Sequence, residues 1–409
     1  MTVEASDVVI VGAVRTPFGR YGGALRLVPS IDLGAAAIRE VLRRTGLSGS
    51  QVDEIFYGTC EPLETGLEID VPARQASLKA GLPPENTSMT LDTACCSSLD
   101  AVLLGYRAIV SGYAQVVLAA GAENMGRQPY YLPPEYRFGE HRGDLRIIDG
   151  VFRGGRYPVP GVNPVAVDAG KEALEYGVTR EDQDRWALGS QQKYGAALAA
   201  GKFREEMMRL ELPQEKGPPV TLDRDEQHRP DTTLEKLASL PAVMGSLTVT
   251  AGNAPGINAG ASAIVLASRQ RAGELGLTPL GTILSVCRIA QAPSRIASAL
   301  AVAIRKALAE ARLTLDQIDL MEINEAFAAM PLVSDKILAE GDEARWQSLL
   351  EKTNVNGGAV AIGHPVGASG ARILMTLMYE LRRRSGGLGL AAICGGLGQG
   401  SGAVVRGEA

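Results

Sequence analysis

A layered α/β fold is predicted for this 409-residue chain by two observations. Short β-branched apolar runs alternate with longer stretches of helical periodicity, the pattern of α/β layering with largely parallel sheets. The 48 glycines, about 12% against a usual ~7%, follow no Gly-X-Y period, so they mark tight turns and close backbone approaches. The length is two to three times a typical domain of ~100–150 residues, which predicts more than one domain.

The elements follow in chain order. Asp7 to Gly19 opens with a β-branched run that ends in a Gly/Pro loop, a buried strand. Asp32 to Thr45 sets Leu33, Ala36, Ala37, Val41 and Leu42 on one stripe, with Gly46 as its C′ residue, an amphipathic helix. Further strand-like runs fall at Glu54–Gly58, Gln115–Ala120, Leu280–Val286, Asp319–Ile323 and Leu388–Ile393, with helical patterns at Ser98–Val110 and Ser294–Ala311. Residues from about 126 to 245 break the alternation: Pro/Tyr/Arg-rich loops, a helix opened by Thr179 and Asp182 as an imperfect capping box, and a charged stretch read as an insertion. The run Val117–Ala122 weakly echoes Leu390–Gly395, hinting at two copies of one α/β unit.

Composition excludes several functions. Forty-one basic against 46 acidic side chains, net −5, argue against a nucleic-acid partner, which wants a basic face. No window approaches the ~18 consecutive apolar residues of a membrane span, and the N-terminus lacks the basic region of a signal peptide, so a soluble cytoplasmic protein is expected. Five cysteines, an odd number, do not make a disulfide framework and leave thiol chemistry available.

Four segments carry chemistry. In Leu91-Asp-Thr-Ala-Cys-Cys-Ser-Ser-Leu99 a helical pattern begins after Cys95-Cys96, so a cysteine there meets a helix N-terminus, where a nucleophilic thiolate is favoured. Either cysteine also reads as a small buried hydrophobe. His364 lies in a glycine-rich loop and is the natural base, or else a histidine bonded to loop backbone; His141 and His228 sit in charged contexts and read as surface. In Ala391-Ala-Ile-Cys-Gly-Gly396 a strand delivers Cys394 to a turn whose N–H groups can form an anion nest. Asn324, at a strand end, reads as a site amide or as an N-cap.

Together these segments resemble the thiolase family. The resemblance covers nearly the whole chain, including Arg15-Thr-Pro-Phe-Gly19, Pro72-Ala-Arg-Gln-Ala76, Gly121-Ala-Glu-Asn-Met125, Asp225-Glu-Gln-His-Arg229 and Thr250-Ala-Gly-Asn-Ala-Pro-Gly-Ile-Asn258. It implies a thiolase fold: two similar βαβαβαββ halves in an α-β-α-β-α core with an inserted loop domain. The halves are residues 1–277, with the coenzyme A-covering insertion at about 126–245, and residues 278–409. By resemblance Cys95 is the acyl-accepting nucleophile, His364 its base and Cys394 the acid/base at the substrate α-carbon. Asn324, through a water, and His364 form one oxyanion hole; the N–H groups of Cys95 and Gly396 form the other. Arg229, Ala251, Gly252, Pro255, Ala326 and Phe327 are implied at the coenzyme A site. The resemblance further implies acyl-CoA substrates, no tightly bound cofactor or metal, and a homodimer or homotetramer.

The chain departs from the family pattern at several positions. Asp92 replaces an Asn, Cys96 a small residue and Ser97-Ser98 a Ser-Gly; Pro164-Val165 replaces a His-Met pair, and Pro255 a Ser that contacts pantetheine. The insertion supplies Lys202, Arg204, Arg209, Lys216, Arg224 and Arg229 as basic charge for coenzyme A; of these only Arg229 sits on a family motif, and the others also read as an ordinary solvated face. The competing readings are a ketosynthase-like or HMG-CoA-synthase-like condensing enzyme, and an acyl- or lipid-binding protein of the same fold that has lost catalysis.

Overall fold

Apolar runs of β-branched residues form the strands, and the stretches between them form helices that bury one or both faces against the sheet. The computed structural model describes residues 7–60, 70–139, 142–153, 156–213 and 217–408. In chain order the first elements are β1 (Val8–Arg15), β2 (Gly19–Arg20), α1 (Ser30–Thr45), β3 (Glu54–Gly58), α2 (Pro72–Ala80), β4 (Thr87–Leu91), α3 (Ser97–Val110) and β5 (Val116–Asn124). A middle region holds β6 (Tyr130–Tyr131), β7 (Ile148–Asp149), α4 (Val165–Glu175), α5 (Arg180–Ala199), β8 (Leu210–Leu212), β9 (Val220–Leu222) and α6 (Leu234–Ala238). Next come β10 (Asn258–Ser268), α7 (Arg269–Glu274), β11 (Gly281–Ala290), α8 (Ser298–Ala311), β12 (Leu320–Ile323), α9 (Ala329–Leu338) and α10 (Glu343–Lys352). Finally α11 (Ala359–Ile362), α12 (Val366–Arg383), β13 (Gly387–Gly395) and β14 (Gln399–Gly407) close the order.

The caps agree with the local reading. Gly46 ends α1 in the left-handed conformation at φ 72°, where a side chain would be strained. Thr179 and Asp182 complete a reciprocal capping box on α5.

The strands run in the order β12-β13-β14-β11-β1-β10-β5-β3-β4, with β2 beside β10. The expectation of largely parallel sheets is corrected here. Among the described residues, the strands of this sheet that pair in parallel are β3–β4, β3–β5 and β12–β13, while its other strand pairs are antiparallel. Helical crossovers impose the parallel pairs, but β13 turns straight into β14, with Leu397 and Gly398 at positive φ.

The order β4-β3-β5-β10-β1 recurs in the second part of the chain as β12-β13-β14-β11, and the counterpart of β4 is reduced to a parallel bridge between Met321 and Thr353. The echo between Val117–Ala122 and Leu390–Gly395 therefore falls on β5 and β13, which hold equivalent places. The two parts join where β1 meets β11 through Val9–Thr282 and Ile10–Gly281.

Three large cores fill the space between five layers, the middle one serving both faces of the central helices. α1 packs on the outer face of the first sheet region through Ile38 and Val41 against Val9, Val116 and Leu118. α8 covers the outer face of the second through Leu300 and Ile304 against Leu390 and Val404. Between them α3 and α12 share one core, with Leu99, Val102, Ile373 and Leu374 against Val117, Ile264, Ile393 and Val405. Each such fully buried aliphatic side chain contributes about 1.5–3 kcal/mol. α12 is buried on all sides from Gly367 to Leu381, as expected of a helix sandwiched between sheets. α3 and α12 approach so closely that a Cβ on Gly370 would stand 2.5 Å from the Leu99 nitrogen. Among the described residues no helix is long and apolar enough to cross a membrane.

Candidate active site

β4 ends at Leu91, and the chain folds through a tight turn before α3. Ala94 sits in the left-handed region at φ 54°, an uncommon and costly conformation for a residue with a Cβ. Local hydrogen bonds hold it there. Asp92 Oδ1 accepts from the Ala94 N–H at 2.8 Å, and the Thr93 N–H donates to Ser97 Oγ at 3.0 Å. The Ala94 carbonyl accepts from Ser97 Oγ at 2.6 Å and from the Cys60 thiol at 2.9 Å. Cys95 is thereby placed just ahead of the first turn of α3, half-buried.

The base arrives from the second half. The His364 N–H donates to Asn258 Oδ1 at 2.9 Å. Nε2 of the imidazole lies 3.2 Å from Cys95 Sγ, and Nδ1 lies 2.7 Å from Ser369 Oγ, in the first turn of α12. Because Ser369 donates its only proton to the Pro365 carbonyl at 2.9 Å, it accepts from Nδ1–H. This assigns the proton to Nδ1 and leaves the Nε2 lone pair facing the Cys95 thiol. Burial, reinforced by the nearby Arg372 guanidinium, brings the His364 pKa down to about 3. The imidazole is therefore neutral and able to accept a proton.

Asn324 continues the β12 ladder, its N–H donating to the Ala392 carbonyl at 2.9 Å. Arg372 Nη2 donates to Asn324 Oδ1 at 3.3 Å, so the amide turns its NH₂ toward His364, 3.5 Å from both ring nitrogens. Arg372 also pairs with Glu322 at 3.4 Å, both essentially without solvent exposure. Burial pushes the Glu322 carboxyl up and the guanidinium down, and their mutual attraction opposes both shifts.

Cys394 lies at the end of β13, buried, with its thiol 3.7 Å from Met330 Sδ. Burial pushes its pKa up to about 12, so it rests as the thiol. Gly396, two residues on, lies in the turn before β14. The turn leaves little room beside it: a Cβ on Gly395 would stand 3.2 Å from Cys96 Sγ.

At the implied coenzyme A site, Arg229 Nη1 reaches the Ala251 carbonyl at 3.5 Å, and its N–H donates to Gln191 Oε1 at 2.8 Å. Gly252 is overhung by Leu237 of α6 and by Leu240, 2.5 and 2.6 Å from where a Cβ would lie. Ala326 and Phe327 pack against the cluster that contains Cys394 and Met330, whereas Pro255 is half-buried in the loop after Gly252. Lys202 is bound instead to Glu380 and Asn356. Lys216 and His141 lie outside the described residues. His228 is not a surface side chain: it is half-buried and meets Tyr194 edge-on at 4.9 Å. Cys287 and Cys96 are buried, their thiols directed at the carbonyls of Ala303 and Ile393.

Four of the site's groups were not singled out in the sequence. Ser369 and Arg372 follow His364 at spacings that place them on the inner face of α12, a helical signal readable once that helix is known. Asn258 closes a motif already quoted. Tyr157, whose ring lies on Gly396, sits in an aperiodic loop and carries no signal in the sequence.

A thiol 3.2 Å from a neutral imidazole, with an amide turned to the same ring, is an arrangement suited to acyl transfer. Models of the thiolase N-terminal and C-terminal domains match residues 8–270 and 277–407. An acetyl-CoA acetyltransferase of Cupriavidus necator is 44% identical over 396 residues, 97% of this chain and 98% of that protein. The crystal structure of human mitochondrial 3-ketoacyl-CoA thiolase superposes with a TM-score of 0.92 at 36% identity, covering 100% of both chains. The same human enzyme in complex with CoA gives 0.91, again at 36% identity, over 99% of each chain. The chain belongs to the thiolase family.

Proposed function

We propose that this thiolase transfers acyl groups reversibly to coenzyme A: thiolytic cleavage of 3-ketoacyl-CoA to acetyl-CoA and a shortened acyl-CoA, or the reverse Claisen condensation. The observation that carries the reading is the Cys95 thiol 3.2 Å from the unprotonated Nε2 of His364.

In thiolysis His364 takes the Cys95 proton as sulfur attacks the 3-keto carbon. The C2–C3 bond breaks, the acyl group stays on Cys95, and the departing acetyl-CoA carbanion takes the Cys394 proton. The Cys394 thiolate then takes the proton of the coenzyme A thiol, whose sulfur attacks the acyl carbon, and the Cys95 sulfur leaves and recovers its proton from His364. Asn324 and His364 serve one developing oxyanion and the N–H groups of Cys95 and Gly396 the other, a contribution typically worth about 3–4 kcal/mol per donor. Arg229, Ala251, Gly252, Pro255, Ala326 and Phe327 line the path assigned to coenzyme A. The human mitochondrial 3-ketoacyl-CoA thiolase solved in complex with CoA supports coenzyme A as the ligand. The division at 277/278, with an insertion at about 126–245, belongs to the same reading and is supported by the recurring strand order. So do assembly as a homodimer or homotetramer and residence in the cytoplasm.

The test is the fall in 3-ketoacyl-thioester enolate absorbance when the purified protein and coenzyme A meet acetoacetyl-CoA and longer 3-ketoacyl-CoAs. Turnover is expected. Folded protein that turns over none of them would overturn the reading.

A further inference from the structure

Tyr157 belongs to the irregular segment before α4, outside every motif discussed above, yet it faces the reacting groups. A Cβ on Gly396 would collide with the Tyr157 hydroxyl and stand 2.5 Å from Cζ and 2.9 Å from Cε2. The phenol ring therefore lies directly on the backbone of the turn that follows Cys394. Burial above all, and then the charges of Cys95, Cys60, Asp92 and Cys394, raise the phenol's pKa, so it keeps its proton. Its neighbours Arg156 and Pro158 are exposed while Tyr157 itself is half-buried, so the segment turns this one side chain inward.

The segment is held in that position. Pro158, Pro160 and Pro164 restrict its backbone, and the Val162 N–H closes a turn on the Val159 carbonyl at 3.2 Å. Asn163 fastens the segment to α4, its Nδ2 donating to Asp168 Oδ1 at 2.7 Å and its N–H to Oδ2 at 3.2 Å. The aromatic ring is thus an obstacle on a turn that itself packs against the residues flanking Cys95, since a Cβ on Gly395 would stand 2.9 Å from the Thr93 carbonyl oxygen and 3.2 Å from Cys96 Sγ.

We infer that Tyr157 is a specificity-determining residue: its ring occupies the space that a longer acyl chain on Cys95 would need, and so restricts the enzyme to short acyl groups. The inference rests on the acyl-transfer reading above and deepens it. A rigid wall in a pocket discriminates by about 10- to 200-fold per excess methylene. Removing the ring while leaving Cys95, His364 and Cys394 untouched opens the pocket without altering the chemistry.

The experiment compares kcat/KM for acetoacetyl-CoA and 3-ketooctanoyl-CoA in the wild type, Tyr157→Phe and Tyr157→Ala. The wild type is expected to favour acetoacetyl-CoA. Tyr157→Phe, which keeps the ring, should retain that ratio, and Tyr157→Ala should shift it toward the longer substrate by about 10-fold or more. An unchanged ratio in Tyr157→Ala overturns the inference, as does an equal shift in Tyr157→Phe, which would assign the selection to the hydroxyl. Wild-type turnover of acetoacetyl-CoA with an unchanged ratio sinks this inference alone, whereas wild-type protein that turns over neither substrate sinks the parent reading. Should Tyr157→Ala not fold, Tyr157→Leu gives the same comparison, the smaller side chain again shifting the ratio.

Discussion

Ser369 Oγ lies 2.7 Å from Nδ1 of His364 and gives its own proton to the Pro365 carbonyl at 2.9 Å. One hydroxyl therefore decides which imidazole nitrogen faces Cys95. In Ser369→Ala the ring loses this acceptor and both tautomers become available. The rate of Cys95 acylation should fall about 10- to 100-fold, the cost of one buried hydrogen bond at ~1–3 kcal/mol. Ser369→Thr should recover most of it. Rapid-quench measurement of acyl-enzyme formation checks this, with the KM for coenzyme A expected to stay constant.

The proposed mechanism divides the work between the two cysteines, so their variants should differ in kind. Cys95→Ala should form no acyl-enzyme by mass spectrometry. Cys394→Ala should still be acylated on Cys95 yet fail to exchange the α-protons of acetyl-CoA with deuterated solvent. Equal acylation of both variants would reverse the role assignment.

His364 is buried neutral, with a pKa brought down to about 3 from an ordinary 6.5. Between those values the unfolded chain binds a proton that the folded chain does not, so stability falls as pH drops through this window. From pH 6.5 to 5 the wild type should lose about 1.5 kcal/mol more than His364→Asn. Urea titrations at the two pH values measure the difference. Over the same range His364 should contribute no acid limb to the kcat/KM profile.

Arg372 is fully buried between Glu322 and Asn324. Arg372→Met should destabilise the protein by about 3 kcal/mol, because Glu322 loses its partner. Adding Glu322→Leu should restore much of the thermal stability. Activity should remain low in both variants, since nothing then holds the Asn324 amide with its NH₂ toward His364. Thermal melts and kcat together separate the structural effect from the positioning one.

Most of the site was legible because its chemistry concentrates in short motifs: Cys95 ahead of a helix, His364 and Cys394 among glycines, Asn324 at a strand end. Strand direction was not legible. Residue periodicity shows which face of β5 or β14 is buried, but carries no information on whether its neighbour runs alongside or against it. Arg372 was hidden for another reason: a charged residue in a helix reads as solvated, and only the sandwiching of α12 between two sheets buries it. Tyr157 was hidden because its loop has no period at all, and its relation to Gly396 exists only after folding.

Cys95 and His364 stand 269 positions apart in the chain, one on each side of the β1–β11 junction. At ~5–20 residues per second of synthesis, the imidazole emerges roughly 15–50 seconds after the thiol. A nascent chain on the ribosome thus carries the Cys95 thiol before the imidazole that stands 3.2 Å from it in the fold. Under the proposed roles, reactivity toward thioesters therefore requires both parts of the chain to be made and joined.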